Sequence, residues 1–371
     1  MARRQFLPRH LRNTSICHSG ALVDTIAAMS STKYARLVLG AVVPFFSLLS
    51  VAHAQTPALP PASTNEQQKQ PTPPSEGQQP VAQNNGDDTY VIKGAGAREV
   101  DLFFTVTNHK GQFATGLQQQ SFGLLDDGRP PEGVIKFQQQ TNLPLRIGLM
   151  IDTSSSIRQR FEFEQQAAND FLLQILHPED RAFVMGFDVQ TNMTQDYTNR
   201  VDLLGTGIRK LRPGGGTSLF DALYKTCRDQ MATLVQNNTF RKAIVMVSDG
   251  DDDYSRVYEN EAIRMCQRAQ TTIYAISTNT GPSRDKGDEV LQRIADATGG
   301  QAFYPTKVTD IATGFQNIEV ELRSQYSLIY RPANFKQDGS FRTIYLQIAD
   351  PRYAGYQVRA PKGYFAPKAE Q

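Results

Sequence analysis

Near-continuous apolar runs recur along the middle of the chain, at 145–151, 182–187, 243–247 and 272–276, with a short one at 301–304. Runs of this length and composition suit strands covered on both faces. Between them apolar residues return every three or four positions. One set is Ile157, Phe161, Ala168, Phe171, Leu172, Ile175 and Leu176; another is Ile311, Phe315, Ile318 and Leu322. That period predicts helices with one face on a core. A helical stretch is also expected over 219–234, and the more polar 192–197 fits an edge strand. Strands alternating with helices predict an α/β fold over 143–323, a doubly wound and mostly parallel sheet.

The flanks follow a different pattern. Val100-Asp101-Leu102-Phe103-Phe104-Thr105-Val106 alternates along a strand, and turn signals follow at 108–111 and 126–128. Residues 325–330, 343–348 and 356–359 read in the same way. Neither 90–142 nor 324–367 is long enough to bury a good core alone. The expectation is that they pair into one β-rich module with the α/β domain inserted between them. The alternative is two separate β appendages.

The first 89 residues fit neither pattern. Lys33 and Arg36 precede an apolar run from Leu37 to Ala52, which ends in Ala52-His53-Ala54. A basic start, a short apolar core and an Ala-x-Ala end compose a secretory signal peptide, expected here over 1–54, with Met29 as an alternative start. Pro44 and the shortness of the run argue against an uncleaved membrane anchor. Residues 55–89 are dominated by Pro, Gln, Ser, Asn and Thr, and read as a disordered linker. An exported protein, periplasmic or secreted, without a stable membrane span after cleavage is therefore expected.

Charge excludes one class of partner. The whole chain carries 39 Lys+Arg against 37 Asp+Glu. Six of the basic residues and one acidic residue lie in 1–54, so the remainder is slightly acidic. No basic stripe is present and no nucleic-acid partner is expected. Outside the leader only Cys227 and Cys266 remain, both in helical patterns that start at the same edge of the sheet. Export permits a disulfide between them, while two buried free thiols are the alternative.

The candidate chemistry lies at strand ends. Asp152-Thr153-Ser154-Ser155-Ser156 follows the first buried run directly, where open α/β sheets carry ligand sites. One carboxylate and two hydroxyls on a short turn offer hard oxygens to a divalent cation. Thr217 follows Gly214-Gly215-Gly216 ahead of a helical stretch, and Asp249 follows the run at 243–247. Each of these residues has an ordinary alternative. Asp152, Ser154, Ser156, Thr217 and Ser218 are good helix caps, and Asp249-Gly250 is a common turn. Together, in order and in matching contexts, they point to metal. Asp152 is expected to be exposed at its strand end. Asp251, Asp252 and Asp253 lack the glycine and glutamate of an EF-hand and read as a solvated acidic rim.

Asp152, Ser154, Ser156, Thr217 and Asp249 match all five ligand positions of the metal-ion-dependent adhesion site of von Willebrand factor type A domains, which the chain resembles. The likeness extends through Pro178-Glu179-Asp180-Arg181, Arg241-Lys242-Ala243-Ile244-Val245, Ala297-Thr298-Gly299-Gly300 and Lys362-Gly363-Tyr364-Phe365. It is similar to the exported bacterial members of that family common in Acidobacteria, over about residues 98–367. The resemblance implies a Rossmann-like fold and bound Mg2+, with Mn2+ or Ca2+ as alternatives. One open coordination position would take an Asp or Glu from a partner protein. It also implies a non-enzymatic adhesion module. Thr153 and Ser155 depart from the family only at positions that bind no metal. Two other readings remain: a module whose metal merely orders loops, and an aspartic peptidase, which Asp152-Thr153-Ser154 also resembles. Those peptidases are all-β, whereas a helical pattern follows Asp152 here.

Overall fold

The computed structural model describes residues 98–140, 143–155, 161–234 and 240–368. The expected signal peptide and linker, the start of the 90–142 segment, Ser156 and Ile157 lie outside the described residues.

The central sheet has six strands in the order β6-β5-β4-β7-β8-β9. These are β4 (Leu145–Asp152), β5 (Arg181–Phe187), β6 (Thr191–Thr198), β7 (Arg241–Ser248), β8 (Thr272–Ser277) and β9 (Ala302–Phe303). All neighbours run parallel except β5 and β6, which pair antiparallel at the edge. The chain winds outward through β5 and β6, then returns to place β7 beside β4. Strand order reverses there, and a crevice opens beyond the strand ends at such a point.

The strands alternate between two cores. Leu145, Ile147, Leu149 and Ile151 of β4 face one way, toward α1 (Phe161–Ile175), α2 (Val201–Lys210) and α6 (Ile311–Arg323). Met150 faces the other way, with Phe183, Ile244 and Ile273, toward α3 (Leu219–Lys225), α4 (Glu259–Arg268) and α5 (Lys286–Thr298). Both faces are dry, which is why these strands carry almost no polar residue. The polar 192–197 stretch is the half-covered edge strand.

The expected single helix over 219–234 is divided. After α3 the backbone widens into a π-helical segment, Thr226–Met231. Cys227 lies in that segment and is joined by a disulfide to Cys266 of α4, with Cα atoms 5.0 Å apart and both side chains fully buried.

The flanks pair with one another, as the alternation suggested. β1 (Val100–Thr107), β3 (Gly133–Gln140), β10 (Gln325–Arg331) and β12 (Gln357–Arg359) form a sheet in the order β12-β1-β10-β3. β2 (Phe122–Asp126), β11 (Phe341–Ile348) and β13 (Gly363–Phe365) form another, β13-β11-β2. They share a core in which Phe104 stacks on Tyr326 with ring centroids 5.4 Å apart. Buried Asp126 accepts hydrogen bonds from both Tyr330 (2.6 Å) and Tyr364 (3.0 Å).

One carboxylate fastens this module to the α/β domain. Glu321 on α6 is fully buried. It accepts from Arg359 Nη2 of β12 (2.7 Å), Thr105 Oγ1 of β1 (3.1 Å) and the Tyr274 hydroxyl of β8 (3.4 Å). Burial pushes its carboxyl above the usual range, and the Arg359 guanidinium opposes that shift.

Candidate metal centre

Asp152 is the last residue of β4 and Ser248 the last of β7, so the reversal point of the sheet carries a carboxylate and a hydroxyl side by side. Asp152 Oδ1 accepts from the Ser154 backbone N–H at 2.8 Å, and Oδ2 accepts from Ser248 Oγ at 2.7 Å. The first bond turns the chain sharply after the strand. The second ties two neighbouring strand ends together.

The Gly-rich loop is stitched to this turn. Gly214 N–H donates to the Thr153 carbonyl (2.7 Å) and Ser155 N–H to the Gly215 carbonyl (3.1 Å). Thr217 then bridges onward, its carbonyl accepting from Asp253 N–H (2.9 Å) and Tyr254 N–H (3.0 Å). Three segments distant in sequence therefore meet at Thr217. Ser218 occupies the cap position of α3 but makes no capping bond with its side chain. Asp252 Oδ1 takes the Phe220 N–H at the start of that helix instead (3.3 Å).

The third segment is held by close backbone contact. Gly250 has φ +83°, and a Cβ there would lie 2.2 Å from the Gly287 carbonyl oxygen. Asn279 Nδ2 donates to the Asp249 carbonyl at 2.8 Å, and the Asp251 N–H donates to Asp249 Oδ1 at 3.2 Å. Asp249 is thus both a turn residue and a carboxylate presented at the crest.

Asp152, Ser154, Thr217 and Asp249 are brought to one end of the sheet, and all four are buried. The fifth donor expected from the sequence, Ser156, lies outside the described residues. Asp152 itself corrects an expectation: it is 0% exposed, because the 153–155, 214–217 and 248–250 segments close over the strand end. Burial pushes its carboxyl up to about 6, against hydrogen bonds from Ser154 and Ser248, and the nearby Asp249 charge raises it further. No cationic side chain among the described residues pairs with Asp152.

This environment tests the metal reading. Two carboxylates beside Ser and Thr hydroxyls form a hard-oxygen donor set suited to Mg2+ or Mn2+. Among the described residues no three His, Cys, Asp or Glu side chains gather to form a softer or more acidic site. A buried carboxylate beside a second one, with no cation paired to Asp152 among the described residues, is an environment that a divalent ion would complete. The residues fit.

Two contributors escaped the sequence reading. Ser248 ends an apolar run, and only the β4–β7 pairing shows that its hydroxyl meets Asp152. Tyr254 lies over Gly216, where a Cβ would come within 2.1 Å of the ring, yet 59% of the residue stays exposed. No local pattern marks either residue.

Comparisons with known proteins bear on part of this chain. Residues 147–251 match the family model described as von Willebrand factor type A domain. A search of curated proteins gave no match. Among solved structures, the chain is similar to proximal thread matrix protein 1 from the mussel byssus, at 16% identity and TM-score 0.42 over 50% of this chain and 49% of that one. The chain thus spans about half the length of that protein. It is also similar to a von Willebrand factor type A protein from Catenulispora acidiphila (12% identity, TM-score 0.43, 70% of this chain and 77% of that one). A third similar structure is the vWF domain of the type V pili tip protein Mfa5 from Porphyromonas gingivalis (17% identity, TM-score 0.40, 48% and 94%). The matched segment carries β4 through β7 and the Asp152, Thr217 and Asp249 loops, and the sheet continues past it through β8 and β9. Residues 147–251 thus match a von Willebrand factor type A domain, and the α/β domain that carries them is inserted in a β-rich module of the chain's own flanks.

Proposed function

We propose that this protein is an exported, non-enzymatic binding module that captures an acidic residue of a protein partner through a divalent cation. Asp152, Ser154, Thr217 and Asp249, with Ser156, would hold Mg2+ or Mn2+. The observation that carries this reading is the buried Asp152 carboxylate at the reversal point of the sheet, beside Asp249 and without a cationic partner among the described residues. When bound, the ion supplies a positive centre with room for one more oxygen ligand. Ser154 and Thr217 are neutral donors, so two carboxylates alone would offset the ion's charge, and a partner's Asp or Glu is favoured in the open position. Ser248 and the Ser154 N–H fix the direction of the Asp152 oxygens. Gly250 packed on Gly287 fixes the backbone that presents Asp249.

Export is supported by the N-terminal pattern and by a buried disulfide, which persists in oxidising compartments. Among the described residues no helix is long and apolar enough to cross a membrane. A metal that serves only to order loops is the weaker reading, since backbone hydrogen bonds already join the three loops at Thr217 and Ser155.

Calorimetric titration of Mg2+ and Mn2+ into the protein tests the proposal, with Asp152→Ala alongside. Saturable binding by the wild type, lost in the variant, is expected. A folded wild-type protein that binds neither ion, even with an acidic peptide present, would overturn it.

A further inference from the structure

The turn between β5 and β6 stands beside the metal crest and divides two troughs. One, of about 580 Å³, runs from Thr153 past Lys210 and Arg212. The other, of about 670 Å³, runs from Ser218 along α3 past Lys225 and Arg228, with Tyr254 and Arg256 on its far wall. Val189 at the tip of the turn lines both and is 44% exposed.

The larger trough begins at the metal centre itself. Ser218 adjoins Thr217, and the Tyr254 N–H is bonded to the Thr217 carbonyl. An exposed aliphatic and an exposed aromatic side chain on opposite rims form the kind of wall that grips an extended chain. The charges are one-sided. Among the described residues neither Lys225 nor Arg256 forms an ion pair, and Arg228 pairs with exposed Asp229. Asp221 in the same trough is engaged by the Arg256 and Val257 N–H groups, both at 2.9 Å. The α3-side trough therefore carries three basic side chains against one engaged carboxylate.

We infer that the α3-side trough is the docking surface for the partner segment that carries the metal-bound acid, and that this segment is extended and acidic. This rests on the metal reading above. The acidic residue enters at the ion. Residues flanking it on one side lie between Val189 and Tyr254, with further carboxylates meeting Lys225 and Arg256. The basic side chains along α3 attract those carboxylates and so fix the direction in which the segment lies.

The test uses a fluorescently labelled peptide alternating glutamate and serine, titrated with the full chain in MgCl2, against a lysine–serine peptide of equal length. Wild-type protein is expected to bind the acidic peptide alone, and more weakly as salt rises. Lys225→Glu combined with Arg256→Glu is expected to weaken that binding about ten-fold. The melting temperature and the Mg2+ affinity of the variant should stay those of the wild type. Unchanged peptide affinity in the variant overturns the inference, as does a wild type that binds Mg2+ but neither peptide. Binding that is lost in the charge-reversed protein yet persists in EDTA and in Asp152→Ala would support the trough and reject the metal reading instead.

Discussion

Ser248 Oγ donates to Asp152 Oδ2 at 2.7 Å, joining the ends of the two strands between which the order of the central sheet reverses. The bond holds a fully buried carboxylate at the point of the fold where a ligand crevice opens. Burial of that charge costs stability in the metal-free protein, and the proposed cation would offset the cost. Asp152→Asn should therefore raise metal-free stability by about 1 kcal/mol while removing the ion's main ligand. Thermal melting with and without Mg2+ reads both effects. The wild type should gain melting temperature with Mg2+ and the variant should not. An equal gain in both would remove Asp152 from the site.

Gly250 is the position where backbone geometry leaves least freedom. Its φ of +83° disfavours any side chain, and Gly287 leaves no space for a Cβ. Gly250→Ala should cost about 2–4 kcal/mol and displace Asp249. Urea unfolding gives the stability, and Mg2+ titration of the folded fraction should show weakened binding. A loss below about 0.5 kcal/mol would mean that the contact is easily relieved.

The disulfide closes a loop between residues 39 apart in sequence. In the loop-closure model a link of that span stabilises the fold by about 4 kcal/mol. Replacing Cys227 and Cys266 together by Ala should lower stability by roughly that amount, or somewhat less where the paired methyl groups still pack. Denaturant midpoints of the two proteins, with the wild type also measured in reductant, provide the check. Equal midpoints would show that the bond adds nothing.

Asp101 on β1 gives the β-rich module a pH dependence. Burial pushes its carboxyl up to about 6, against a hydrogen bond from Ser327 Oγ (3.2 Å) and the Lys136 charge. The folded protein thus keeps a proton there that the unfolded chain has lost from about pH 4 upward. Stability from this group is full below pH 4 and is lost as pH rises through about 6. Asp101→Asn should remove that part of the decline, so the difference in stability between variant and wild type should grow from pH 4 to pH 6 and then level. A difference constant across that range would show that Asp101 titrates normally.

The parts legible before folding were those written in adjacent residues. The apolar runs place β4, β5, β7 and β8 within a residue or two, because a strand buried on both faces excludes polar residues from its own length. The same runs place Asp152 and Asp249 at strand ends, since the first polar residues after a buried strand stand at its mouth. The alternation around 100–106 marked β1, and similar stretches marked β10, β11 and β12, but not which of them lies beside β1.

Other features depend on packing between residues far apart in sequence. That β1 lies between β10 and β12 follows from closing one core across more than two hundred intervening residues. Glu321 looks like an ordinary charge on an amphipathic helix until Arg359, Thr105 and Tyr274 converge on it. The widening of the helix after Lys225 and the pairing of its Cys227 with Cys266 appear only once α3 and α4 lie side by side. Which residues offer oxygen donors, and at which strand ends, is already written in the order of the residues. Only the packing of distant segments buries Asp152, sets Ser248 against it and lays Tyr254 over the Gly-rich loop. The physical reason is that a periodic pattern constrains only the neighbours it repeats among, whereas burial and hydrogen-bond partners are set by whichever distant segments pack against a site.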